Sequence, residues 1–293
     1  MTVGYSDLPA LLRAADANSL AGQRRYLRAT RIQLTALVAA AVFGALSLTT
    51  SGVDVSAVLA TVAFATALVS EIYQLKERPD RHWYGGRAVA ESVKTLTWRY
   101  MVGGAPLGTG VMETDRATEV LMERLAEIQA DVQPIWLLPD HGAPDQVTAG
   151  MRRARELPLD GRRDLYLRQR IDDQWNWYAR KARWNARRST HWAVLLAVLE
   201  LVGISAGIMR VAELITIDVL GIAAALAAAG AAWVQTKQHQ NLATAYGVAT
   251  HELAAIRARA ERARSEDTWA AFVADAEEAI SREHTLWRAS HGG

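Results

Sequence analysis

The chain has 293 residues, 51% of them hydrophobic, with 33 Lys and Arg against 31 Asp and Glu. That length suits one or two domains, and a formal net charge of +2 points to no partner by itself. There is no cysteine, which excludes a disulfide framework, a thiolate zinc site and a cysteine nucleophile.

YSDLPALLRAAD opens the chain, where Ser6 or Asp7 can cap a short helix and Pro9 suits its first turn. NSLAGQRRYLRATR leads into an apolar run, Ile32–Leu48, and a turn around Thr50–Gly52 joins it to a second run, Val53–Ile72. Pro79 starts a break, Ala88 to Met101 reads as a helix, and Gly103, Gly104 and Pro106 end it. ETDRATEVLMERLAEIQADV places Val120, Leu121, Leu125 and Ile128 at helical spacing opposite a charged face. WLLPDHGAPDQVTAG is rich in Pro, Gly and Asp and reads as a linker or lid. A basic, aromatic helix follows, then runs Trp192–Met209 and Ile215–Val234 joined around Arg210–Leu214. Near the end, Trp269, Phe272, Val273, Ala276, Ile280 and Trp287 share a helical face, with Asp267 as its cap.

Each apolar run approaches the roughly 17–25 residues that a helix needs to cross a hydrocarbon core. Two hydrophobic hairpins buried in a soluble bundle are the alternative, but four core helices of this length are unusual in a soluble chain. The expected fold is an all-α integral membrane protein with two transmembrane hairpins and long cytosolic helices. Arg24, Arg25, Arg28 and Arg31 precede the first run, and Lys76, Arg78 and Arg81 follow the second. Arg180, Lys181, Arg183, Arg187 and Arg188 precede the third, Lys237 follows the fourth, and the two turns hold only Arg210. Lysine and arginine stay on the cytoplasmic side, so both termini and the whole middle segment are expected in the cytosol, with only the two tight turns facing out. The first run follows thirty polar residues with no cleavage-like site, unlike a secretory signal. The organisation expected is a two-span unit at 1–110, a helix and linker at 111–160, and a second two-span unit at 161–293. The halves read as a diverged parallel repeat: QRRYLRATRIQ resembles WNWYARKARWN with Tyr26 set on Tyr178, and GVDVSAVL resembles TIDVLGIA with Asp54 set on Asp218.

Glu200 is the one carboxylate deep inside a run. A charge at the bilayer centre costs on the order of 2.5–3.5 kcal/mol on insertion scales. Glu200, Gly203 and Gly207 share a stripe, so the acid is expected to face the bundle or a wet cavity. It is either a pore-lining carboxylate or a protonated acid hydrogen-bonded between helices. Gly221, Ala225, Ala228 and Ala232 form a close-packing stripe, and Ala63, Thr66 and Ser70, ending near Glu71, form a face that packs or lines a polar path. Trp175, Trp177, Tyr178 and Trp184 stand among Arg180, Lys181, Arg183, Arg187 and Arg188, the pattern of an anchor at the lipid headgroups. Binding of a phosphorylated ligand or a partner is the other reading of this helix, and nucleic acid is not expected beside a span. Asp172, Asp173, Glu91 and Glu283 are expected in ion pairs, Glu91 with Lys94 at i, i+3. Enzyme signatures fail: HELAA at His251 lacks the second histidine of a zinc protease, and GGAPLGTG has no P-loop lysine. No catalytic residue, metal or cofactor is expected.

WYGGRAVAESVKTLTWRY, Trp83 to Tyr100, resembles the post-membrane signature of one branch of the SLATT family, the SMODS and SLOG-associating two-transmembrane effector domains. YLRQRIDDQWNWYARKARWNARRS and FVADAEEAISREHTLW resemble another branch. Trp83, Arg87, Glu91, Lys94, Trp98, Glu283 and Trp287 stand at the recurring motif positions. The resemblance implies a bacterial membrane effector, pore-forming or ion-conducting, in a conflict or stress context. It also implies a separate nucleotide-sensing or nucleotide-synthesising partner protein. Four spans with few polar residues make a poor conduit alone, so a symmetric homo-oligomer triggered through its cytosolic helices is expected. A non-conducting scaffold anchored in the lipid bilayer is the competing expectation.

Overall fold

The computed structural model describes residues 1–46, 48–50, 52–131 and 144–291, with only the backbone described at 131 and 282–291. The linker expected at 136–150 lies mostly outside the described residues, as do the side chains of Glu283 and Trp287. The described residues are mostly helical, and among them four helices are long and apolar enough to cross a membrane. It divides into two compact units, the first Met1–Gln23, Asp80–Ala182 and Thr244–Gly293, the second Arg24–Pro79 and Arg183–Ala243.

The helix expected after Ser6 or Asp7 is present but not short: a 3-10 turn, Tyr5–Asp7, precedes an unbroken helix α1, Ala10–Gly44. Nothing in NSLAGQRRYLRATR stops a helix: it has no proline, and its Arg, Leu, Gln and Ala residues are good helix formers. The first turn holds a minimal antiparallel ladder, β1 (Thr49–Thr50) with β2 (Val53–Asp54), around Gly52 at φ 81°. Helix α2 (Val55–Glu77) therefore begins two residues later than the apolar run. Asp54 caps it by accepting from the Ala57 N–H at 3.0 Å. The break expected from Pro79 shrinks to one residue. Arg78 adopts left-handed geometry, its N–H caps Gln74, and α3 (Pro79–Val102) restarts at once with Pro79 in its first turn.

Helices α4 (Thr114–Asp131), α5 (Ala149–Arg155) and α6 (Leu159–Tyr166) follow, and a π-helical turn at Leu167–Asp172 joins α6 to α7 (Asp173–Val211). The fourth span starts at Val219, not Ile215, because Asp218 is its cap, accepting from the Gly221 N–H at 3.2 Å. Helix α8 (Val219–Lys237) ends like α2: Gln238 is left-handed, its N–H caps Val234, and α9 (His239–Ala260) restarts immediately. The paired Asp caps and paired left-handed breaks give the internal repeat a structural form. The last helix, α10, spans Glu266–His291. Its cap is Ser265, which exchanges bonds with Thr268, and Asp267 lies inside the first turn.

Unit one is knotted by buried guanidinium groups. Arg155 donates to the carbonyls of Tyr100 at 2.9 Å, Leu107 at 2.7 Å and Met112 at 3.2 Å. Arg162 donates to Val102 at 3.0 Å, Leu157 at 2.9 Å and Glu266 at 2.5 Å, and the Trp269 indole N–H also reaches Val102, at 2.7 Å. These donors satisfy the orphan carbonyls at the end of α3 and carry positive charge to its negative pole. Gly103, at φ 75°, turns the chain there, and Arg162 lies where a Cβ would stand. Burial pulls the Arg155 guanidinium below its ordinary pKa. Arg170 forms a bidentate pair with Glu277, Nε to Oε1 at 2.9 Å and Nη2 to Oε2 at 2.7 Å, with side chains 2% and 0% exposed. Tyr166 donates its hydroxyl to the same carboxylate at 2.9 Å, and edge-on contacts link Trp98, Tyr166 and Trp269.

Unit two holds two hairpins, each with a polar clasp. In the first, Ser70 donates to the Ala29 carbonyl at 2.9 Å, and Gln74 joins Thr30 at 3.2 Å and Gln33 at 2.9 Å. In the second, buried His239 and Asn185 bond at 2.7 Å, and Ser189 donates to Gln240 at 2.9 Å. The Asn185 oxygen can only accept, so Nδ1 of His239 carries the proton. The hairpins meet where Arg31 lies 5.1 Å over the Trp233 ring.

Candidate functional site

Glu200 lies in α7 and is exposed on the surface of the single chain. Of the two expected placements, it does not take the packed one between the chain's own helices. The glycines beside it do: Gly203 is buried, a Cβ on it would stand 3.5 Å from Ala223 and 3.6 Å from Leu220, and a Cβ on Gly207 would stand 3.5 Å from Leu220. Three residues along a helix turn about 300°, so Glu200 and Gly203 share a broad stripe but not one contact line. Around Glu200 the surface is aliphatic, with Leu201 63% and Ile204 61% exposed.

The close-packing face of α8 is also rotated from the expected one. Ala223 is its buried residue, and a Cβ on Gly230 would stand 2.8 Å from Leu196. Gly221, Ala225 and Ala232 are half-buried, and Ala228 is exposed. On α2 the buried positions are Ser56, Ala67 and Ser70. Thr66 is exposed and donates to its own helix at Val62, 2.8 Å away, and Glu71 is exposed as well. Thr66 and Ser70 therefore do not line one polar path: Ser70 is spent on the Ala29 carbonyl.

Of the expected interface residues, Trp175 and Trp184 are exposed, as are Arg180, Lys181, Arg183, Arg187 and Arg188. Arg188 lies 5.5 Å over the Trp184 ring, and Lys181 lies 5.8 Å over that of Trp177. Tyr178 is a correction. It is 2% exposed and packs with Trp177 and Tyr246, so it belongs to the core of unit one.

Unit one contains a cleft of about 390 Å³, within the usual range of small-molecule sites. Its walls are α1 (Asp16, Ser19, Gln23), α3 (Trp83, Arg87, Glu91, Lys94) and α7 (Asp173, Gln174, Trp177, Tyr178). Four of the motif residues thus converge on one concavity. Lys94 donates to Glu91 at 3.0 Å, the i, i+3 pair expected from the spacing. Ser19 donates to the Trp83 carbonyl at 3.0 Å, and Trp83 stacks on Tyr84 at 4.8 Å. Gly86 sets this packing: a Cβ there would stand 2.8 Å from the Ser19 nitrogen and 2.9 Å from the Ala15 oxygen. Trp98 is elsewhere, buried against Tyr166. Asp172 pairs with Arg257 as expected, but Asp173 has no ion pair among the described residues.

Sequence reasoning missed Arg155, Arg162, Arg170, Glu277 and the Asn185–His239 pair. Arginines abound in this chain, and no local spacing marks which ones are buried; Arg170 and Glu277 stand 107 residues apart. Burial is the largest influence on Arg170 and lowers its pKa, but the Glu277 charge and hydrogen bonds outweigh it and hold the guanidinium above its ordinary value. Burial, then the Glu277 charge, pushes the Tyr166 hydroxyl well above its ordinary value. Among the described residues no group of three or more His, Asp or Glu side chains could hold a metal ion.

Residues 9–163 match the family described as SMODS and SLOG-associating 2TM effector domain 3, and residues 166–287 match SMODS and SLOG-associating 2TM effector domain 1. Each match contains two of the four helices able to span a membrane. No curated protein and no solved structure matches the chain.

Proposed function

Because the chain belongs to the SLATT family, with two SMODS and SLOG-associating 2TM effector domains in tandem, we propose that it is an oligomeric effector of the bacterial inner membrane that conducts ions or permeabilises the bilayer. SLATT domains are two-transmembrane effector domains associated with conflict and defence systems. In this reading both termini and the helices of unit one are cytoplasmic, and a cytosolic signal opens the assembly. That signal reaches it through a separate nucleotide-sensing or nucleotide-synthesising partner protein.

The observation that carries the proposal is Glu200. It sits mid-span, exposed among aliphatic side chains that suit lipid. A carboxylate left in lipid costs on the order of 2.5–3.5 kcal/mol, and among the described residues no helix of its own chain covers it. A second copy supplies the cover, and a closed ring of copies gathers one carboxylate per chain around a common axis. Such a ring is the polar lining that four mostly apolar spans lack. Glu71, exposed at the end of α2, stands at the cytosolic mouth in this arrangement. The exposed tryptophans and arginines of α7 anchor the assembly at the headgroups.

Ion flux through proteoliposomes, with Glu200→Gln in parallel, tests it. We expect flux above empty liposomes, altered by the substitution. Unaltered flux would return Glu200 to a packing role. No flux from an assembled oligomer would favour a membrane-anchored scaffold.

A further inference from the structure

The cleft of unit one is not explained by packing. It is wide enough for a ligand, and its walls include α1 and α7, which run without a break into apolar spans. Its charge is unbalanced: Asp16, Glu91 and Asp173 face Arg87 and Lys94. Lys94 is already committed to Glu91 at 3.0 Å. Asp16 accepts from the Tyr5 hydroxyl at 3.1 Å, a neutral donor. Asp173 has no ion pair or hydrogen bond through its side chain among the described residues. Two carboxylates on different walls, Asp16 half-buried and Asp173 exposed, thus lack a cation, and the same lining includes aromatic rings: Trp83 on α3, Trp177 and Tyr178 on α7. A carboxylate pairs with a cation at short range, and an indole face attracts one.

We propose that this cleft binds a small organic cation, a guanidinium or alkylammonium on a short apolar body, with Asp16 and Asp173 taking the charge and Trp83 and Trp177 the body. Ligand bound there bridges the cytosolic parts of α1 and α7, which makes the cleft a second trigger site, separate from the signal that the partner protein brings. The trigger role, though not the binding, rests on the conducting reading above.

The test uses the full chain in nanodiscs and three probes by calorimetry: agmatine, choline and, as a flat anion, AMP. Agmatine or choline should bind saturably and AMP should not. Asp173→Asn should weaken agmatine about tenfold, the loss of one charge-assisted hydrogen bond. Asp164→Asn, on the exposed face of α6, should leave it unchanged. AMP binding without cation binding, no binding by any probe, or indifference to Asp173→Asn each overturns the proposal. Liposome flux on the same preparation separates the two readings: binding without flux spares the cleft and sinks the pore, and flux without binding does the reverse.

Discussion

The two units solve the same problem, a shortage of partners for polar backbone and apolar side chains, by opposite means. Unit one buries charge. Arg155, Arg162, Arg170 and Glu277 are almost wholly enclosed, and each closes a contact between distant segments. Unit two buries little. Its apolar side chains point outward, Val69 66% exposed and Ile208 66% exposed, and its helices touch through Gly203, Ala206, Ala223 and Gly230. In water, charged donors and acceptors must be paired once enclosed. In lipid, aliphatic surface needs no cover, and helices associate through small residues and a few hydrogen bonds. The difference shows that composition sorted by solvent, and not one continuous core, organises this chain.

The comparison breaks most readily at the Arg170–Glu277 pair. Glu277→Ala leaves an enclosed guanidinium without its counter-charge and should cost about 3–5 kcal/mol, read as a fall in the melting temperature of the detergent-solubilised protein. The double change Arg170→Met with Glu277→Leu should recover most of that loss, since removing both charges of a buried pair is far cheaper than removing one.

Glycine contacts sharpen it next. In unit one, Gly86→Ala drives a Cβ against the Ser19 nitrogen and the Ala15 oxygen, both backbone, and should cost about 1–3 kcal/mol. In unit two, Gly230→Ala meets the end of the Leu196 side chain, which can rotate away. Its cost should stay at or below about 1 kcal/mol. Equal costs from parallel thermal melts would erase the distinction.

The clasps give a pH test. Burial, with Lys237 and Arg188 nearby, lowers the His239 pKa below its ordinary value of 6.5. The folded state therefore prefers neutral histidine. Its contribution is fully present above pH 6.5 and is lost as the pH falls through the depressed folded value. Melting temperature should drop on acidification in the wild type, and His239→Gln should flatten that limb of the curve. The first hairpin's Gln74 clasp carries no titrating group and should show no such limb.

The smallest effect is expected at Thr66→Val. Among the described residues Thr66 bonds only to its own helix, and it faces outward, so stability should change by no more than about 0.5 kcal/mol. A large change in stability or flux would show that this face of α2 is covered in the assembly.

What the sequence alone determined was the pattern readable along one helix at a time. The lengths and polarity of four apolar runs gave the spans, the Asp54/Asp218 correspondence foreshadowed the paired helix caps, and WYGGRAVAESVKTLTWRY gave the family. Local spacing also gave the Glu91–Lys94 pair. What only the tertiary structure decided was which side of each helix is covered. A helical stripe is broad, so Glu200 could share one with Gly203 and still point outward, and the face of α8 could rotate from Ala228 to Ala223. Tyr178 moved from the headgroup layer to a core for the same reason. The arginine knot and the cleft were hidden further still, because each draws on segments far apart in sequence, and enclosure of a charge depends on partners that no local pattern contains.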